Sequence, residues 1–82
     1  MMKTIVRNRK ELGEKIRNMR RNKGFRQIDL ARKASVRQAL ISELENGVTS
    51  ARCETVIRVL AALDMDLAII SRRKAEFNPM VY

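Results

Sequence analysis

Histidine and tryptophan are absent from this sequence, and cysteine and proline occur once each. Without histidine, none of Ser35, Ser42, Ser50 or Ser71 has an imidazole base to activate it, so nucleophilic catalysis is unsupported. Cys53 alone forms no intrachain disulfide and, with no histidine, no Cys/His zinc site. It reads as a small, half-buried hydrophobe in a reducing cytoplasm. There is no glycine-rich phosphate loop. No apolar run approaches the ~20 residues needed to span a bilayer. The opening MMKTIVRNRK is basic, but its apolar part is too short for a signal peptide. A binding module is expected, not an enzyme, with no metal and no cofactor.

What the chain has is positive charge. Eighteen Lys and Arg stand against nine Asp and Glu, a formal net charge of +9, spread from Lys3 to Lys74 and not confined to one tail. An anionic partner follows, nucleic acid before membrane surface. The 82 residues suffice for one small domain, and 45% apolar content allows an all-helical core. Such a core is marginal alone, so self-association is expected.

Residues 3–7 (KTIVR) are short and β-prone, a candidate strand within a basic arm, 1–8. Asn8 suits a helix N-cap, with Glu11 three residues on to close a capping box. A first helix is expected over 9–23, with Leu12, Ile16 and Met19 on one stripe and Gly24 as its left-handed stop. Arg20, Arg21 and Lys23 complement the dipole of its last turn. Phe25 should plug the core. A second helix over 27–34 would turn Leu30, Ala31 and Ala34 inward, with Asp29 near its positive end. Ser35 and Val36 form a turn, and a third helix over 37–45 stops at Asn46-Gly47. Thr49 or Ser50 should cap a fourth helix over 52–63, whose stripe is Val56, Leu60 and Leu63 with Ile57 and Val59 beside it.

After Asp64 the period changes. In MDLAIIS, Met65, Leu67 and Ile69 alternate with Ala68 and Ile70, which reads as a strand over 65–72. A helical continuation is the alternative, but Asp64 and Asp66 would oppose the dipole at its C-terminus. A lone strand needs a partner, either the arm or the same strand of a second subunit. Leu67, Ile69 and Ile70 are therefore the expected dimerisation residues. The tail, 73–82, shows no period. Phe77 and Tyr82 within it are candidate anchors for a partner, the alternative being a loose chain end.

The most informative segment is QIDLARKASVRQALISELENG, Gln27 to Gly47, two short helices meeting at a tight turn. Steps of about 100° put Leu40, Ile41 and Leu44 on one inward arc. Gln38, Ala39, Ser42, Glu43 and Asn46 share the opposite arc, with Arg37 at its N-terminal end. Such a face fits the major groove, where Gln reads adenine, Arg reads guanine and an Ala methyl meets thymine.

The chain resembles the Cro/C1 (XRE-type) helix-turn-helix family. The resemblance rests on LGEKIRNMRRNKGF from Leu12, on Gln27 with Leu30-Ala31, and on Val36, Ile41-Ser42 and Glu45-Asn46-Gly47. It spans roughly residues 12–63 of the chain. It implies an all-α, lambda repressor-like bundle of four to five helices over 9–64, with the short C-terminal β-strand serving dimerisation. It also implies that Gln27 touches a phosphate and steadies the first recognition side chain. Gln38, Ala39 and Glu43 fall at base-contact positions, with Arg37 just before them, and Asn46 falls at a backbone-contact position. Arg52, at the entry to the fourth helix, joins Arg26 as an expected backbone contact, and Ser50 beside it is a further expected DNA-binding residue. Arg20 and Glu45 match a partly buried structural salt bridge. Two positions depart from the family: Ser35 stands where glycine is usual, and Arg26 where a hydroxyl cap is usual.

At its ends the chain is similar to HipB-type antitoxins of toxin–antitoxin operons. That likeness implies a homodimer on an inverted-repeat operator, repression of its own promoter, and neutralisation of a toxin, HipA-type kinases being the usual partner. A cytoplasmic, nucleoid-associated protein is expected, with no membrane partner. A stand-alone phage-type or housekeeping repressor would share every DNA-facing residue. A protein-binding adaptor or a membrane-surface peptide is the remaining alternative.

Overall fold

The computed structural model describes residues 5–48 and 51–71. Among the described residues four helices follow one another: α1 (Arg9–Asn22), α2 (Gln27–Ala34), α3 (Gln38–Glu45) and α4 (Cys53–Ala62). α1 packs on α3, and α2 packs on both α3 and α4. Between them lies one core of Ile16, Leu30, Ala31, Ala34, Ile41, Leu44, Val59, Leu60 and Leu63. Leu12, Met19, Phe25, Leu40 and Val56 close its margins. Phe25 is thus a marginal plug, with the Lys33 ammonium 5.5 Å from its ring centre.

In α4 the buried stripe is Val59 and Leu60, continued by Leu63 at the C-cap, while Ile57 is 44% exposed. Ile57 was expected beside the stripe; α2 covers the Val59–Leu63 side and leaves the opposite face open. Cys53 is exposed rather than half-buried, because as the first residue of α4 it precedes the part of the helix that the core covers.

All four helices stop in the same way. Gly24, Ser35, Gly47 and Asp64 take positive φ, at 75°, 59°, 70° and 61°. The following N–H of Phe25, Val36, Val48 and Met65 reaches back to Arg20, Ala31, Glu43 and Leu60 carbonyls respectively. These are Schellman stops, which satisfy carbonyls that a helix end otherwise leaves bare. Gly24 takes this conformation without strain, whereas Ser35 carries a Cβ against the next carbonyl at a cost of about 1–2 kcal/mol. Ser35→Gly should therefore raise stability by about 1 kcal/mol. Urea melts check it; an unchanged midpoint would mean the serine side chain recovers the strain.

The helix starts differ from the sequence reading. Asn8 caps α1 by accepting from the Glu11 N–H at 2.8 Å, but the Glu11 carboxylate accepts from the Arg7 N–H, not from that of Asn8. Arg37 is the N-cap of α3 and not its first residue, and α4 has Arg52 as its N-cap. Thr49 and Ser50, expected as that cap, lie outside the described residues, and the cap falls later because the helix opens only at Cys53.

From Asp64 the chain is neither helix nor, among the described residues, paired strand. Asp64 in its left-handed turn ends α4, and its carboxylate accepts from Lys23 Nζ at 2.9 Å. Leu67, Ile69 and Ile70 are 53%, 100% and 47% exposed. Ala68 to Ser71 share a shallow cleft with Ile5, Val6 and Arg7, so the arm and this segment lie side by side. Arg72 and everything after it, including Phe77 and Tyr82, lies outside the described residues, as do residues 1–4.

Candidate nucleic-acid interface

α3 is short, and its two sides are set by the core. Ile41 and Leu44 are fully or almost fully buried, and Leu40 is half-buried. Gln38, Ala39, Glu43 and Asn46 are exposed on the other side, with Ser42 half-buried between them. Arg37 is exposed at the N-cap. Polar groups that can read base edges are thus carried on a helix that cannot roll, because its other arc is locked in the core.

The end of α3 is anchored by a buried carboxylate. Glu45 is 3% exposed and receives Arg20 as a fork, Nε on Oε2 at 2.5 Å and an Nη on Oε1 at 3.1 Å. The other Nη of Arg20 donates to the Phe25 carbonyl at 2.7 Å. Glu45 Oε1 also accepts from Gln27 Nε2 at 3.1 Å and Arg17 Nε at 3.4 Å. Burial pushes the Glu45 carboxyl up, but the hydrogen bonds from Arg20 and Gln27, the Arg20 charge and the Arg17 bond outweigh it. The carboxyl is held below the ordinary glutamate range. Every buried side-chain polar atom among the described residues has a partner, so the ionic knot is fully satisfied. Gln27, at the start of α2, is therefore tied by its amide nitrogen to the end of α3.

Close approach of α1 makes this knot possible. A Cβ added at Gly13 would lie 2.7 Å from the Glu45 carbonyl oxygen and would press on the Leu44 carbonyl as well. Sequence reading passed over Gly13; a glycine in the middle of a helical stripe is its only trace. Arg17 was missed too, since its role depends on a residue 29 positions away.

The three remaining helix starts share one feature. Arg26, Arg37 and Arg52 are the N-caps of α2, α3 and α4, all are exposed, and none caps its helix with a side-chain hydrogen bond. At the α2 start the Asp29 carboxylate accepts instead, from the Arg26 N–H at 2.8 Å and from its guanidinium at 3.1 Å. A cation at a helix N-terminus opposes the dipole, so these positions favour an approaching anion.

Among the described residues no group of acidic, His or Cys side chains could hold a metal, and no helix is long and apolar enough to cross a membrane.

The helix-turn-helix family model matches residues 16–70. The chain belongs to the helix-turn-helix family. Its type is XRE (Cro/C1), a class of DNA-binding regulators. No curated protein matches the chain significantly. Among solved structures, a "HipB-O4 20mer complex" is similar at TM-score 0.78 and 22% identity, over 87% of this chain and 100% of that one. A "HipA-HipB-O2-O3 complex" is similar at TM-score 0.77 and 22% identity, with the same coverage. The clp gene regulator ClgR from Corynebacterium glutamicum is similar at TM-score 0.70 and 29% identity, over 80% of this chain and 85% of that one.

Proposed function

We propose that this helix-turn-helix protein is a dimeric repressor that binds an inverted-repeat operator and serves as the antitoxin of a toxin–antitoxin operon. In this reading it represses its own promoter in the cytoplasm and neutralises a toxin, a HipA-type kinase being the first candidate. The observation that carries the DNA reading is the trio of exposed arginine N-caps around an exposed polar α3 face. Gln38, Ala39 and Glu43 are assigned to base edges, with Arg37 beside them. Arg26, Gln27, Ser42, Asn46, Ser50 and Arg52 are assigned to the backbone. Exposure of Leu67, Ile69 and Ile70 on a segment outside any helix supports pairing with a two-fold mate. Such pairing sets recognition helices about 34 Å apart, one DNA turn. Support for the antitoxin role is the HipB-like fold, matched over the whole of that chain. The similarity to ClgR favours a second reading, a stand-alone regulator with the same DNA face.

Arg52→Ser tests the DNA face. Serine is a better N-cap than arginine, so stability should rise by about 1 kcal/mol. Binding should weaken for all duplexes alike, and the salt slope should fall by about one unit. Gln38→Ala should instead relax preference at one base pair, losing about 1–3 kcal/mol on the preferred site. Unaltered binding by Arg52→Ser would remove the phosphate role from these arginines. For the antitoxin role, the protein is purified from its native operon and whatever stays bound is identified by mass. Recovery of the chain alone would favour the stand-alone regulator.

A further inference from the structure

We infer that Arg17 is a positioning residue for DNA binding: it fixes the amide of Asn46 so that only an N–H is presented outward. This rests on the DNA reading above. Arg17 lies on α1, one turn before Arg20, and its guanidinium reaches the end of α3 at three points. It donates to Asn46 Oδ1 at 3.1 Å, and to the Glu45 carbonyl and Glu45 Oε1 at 3.4 Å each. The Asn46 amide nitrogen donates to the Ser42 carbonyl at 2.9 Å. An amide has one oxygen and two N–H groups, so this leaves a single amide hydrogen without a partner among the described residues. Asn46 is exposed, so that hydrogen faces solvent at the end of the recognition helix. A donor there suits a phosphate oxygen, whereas a flipped amide would present its carbonyl and repel one. An arginine is suited to this because its planar fork holds the Glu45 carboxylate through Nε while one Nη addresses both the Glu45 carbonyl and the Asn46 amide oxygen, a two-nitrogen grip that a single ammonium lacks.

The test uses the full chain and a duplex that it selects from a random pool. Arg17→Met, which keeps the packing stem, should bind that duplex several-fold more weakly, and unrelated duplexes weaker by the same factor. The salt slope should stay near the wild-type value. In an Asn46→Ala background the same change should add nothing further. Arg17→Lys should behave like Arg17→Met, and it also serves if the methionine variant does not fold. Equal losses in both backgrounds would overturn the inference. So would recovery by Arg17→Lys, or a slope lowered by about 0.9, either of which marks a direct phosphate contact. A lowered melting point with wild-type affinity would make Arg17 merely structural and also overturn it. Should the wild-type chain select no duplex, the DNA reading itself fails and takes this inference with it.

Discussion

Glu45→Ala is expected to be the most damaging single substitution in the domain, at about 3–5 kcal/mol. The reason is less the lost attraction than what remains. Arg20 is 8% exposed, and without Glu45 its guanidinium keeps only the Phe25 carbonyl as a partner among the described residues. A domain of this size has about 4–12 kcal/mol in total, so much of the population should unfold. Urea melts at neutral pH measure the loss; a value under about 1 kcal/mol would make the bridge equivalent to a solvated surface pair. pH provides a separate check. The folded state holds the Glu45 carboxyl below its ordinary value, with burial opposing and the Arg20, Gln27 and Arg17 interactions prevailing. The stability this adds is complete above the unfolded-state pKa and is lost as pH falls through the folded one. The gap between wild type and Glu45→Gln should therefore be widest near neutrality and narrow in acid. A gap that stays constant through the acid range would exclude Glu45 as its source.

Gly13→Ala is expected to cost about 3 kcal/mol, the upper end for overpacking. At an exposed helical site the same change would gain up to about 1 kcal/mol, so the two effects oppose and local propensity loses. The added methyl would meet the backbone carbonyls of Leu44 and Glu45, which cannot rotate away as a side chain could. α1 would have to move off α3, lengthening the Arg20 and Arg17 bonds to Glu45. Operator affinity should fall with stability, because the same displacement unseats the end of the recognition helix. A stable Gly13→Ala protein with normal DNA binding would show that the α1–α3 approach is not tight.

Most of the helical framework is a consequence of local sequence. Apolar residues spaced at three and four positions fix which arc of α1, α2 and α3 turns inward, and no partner is needed to read that period. The stops at Gly24 and Gly47 are equally local, since glycine takes positive φ without a Cβ clash. Net charge and the polar arc of α3 are likewise properties of the chain itself, which is why an anionic partner and a recognition helix can be read directly. Where the competing groups are far apart in sequence, reading fails. Ile57 and Val59 look equally apolar, and only the placement of α2 decides that Val59 is buried and Ile57 exposed.

The sequence alone determined the four helices of the described residues, the inward arcs of α1, α2 and α3, the glycine stops, and that no histidine and no intrachain disulfide takes part. Tertiary structure alone decided how tightly α1 meets α3, and so the roles of Gly13 and Arg17. It also decided that Gln27 gives one amide N–H to Glu45, and that Arg20 closes on Glu45 as a two-pronged fork. Periodicity and capping act between residues a few positions apart, within one turn of backbone. The ionic knot joins residues 18 to 28 positions apart, and its geometry exists only after the core has set the helices against each other.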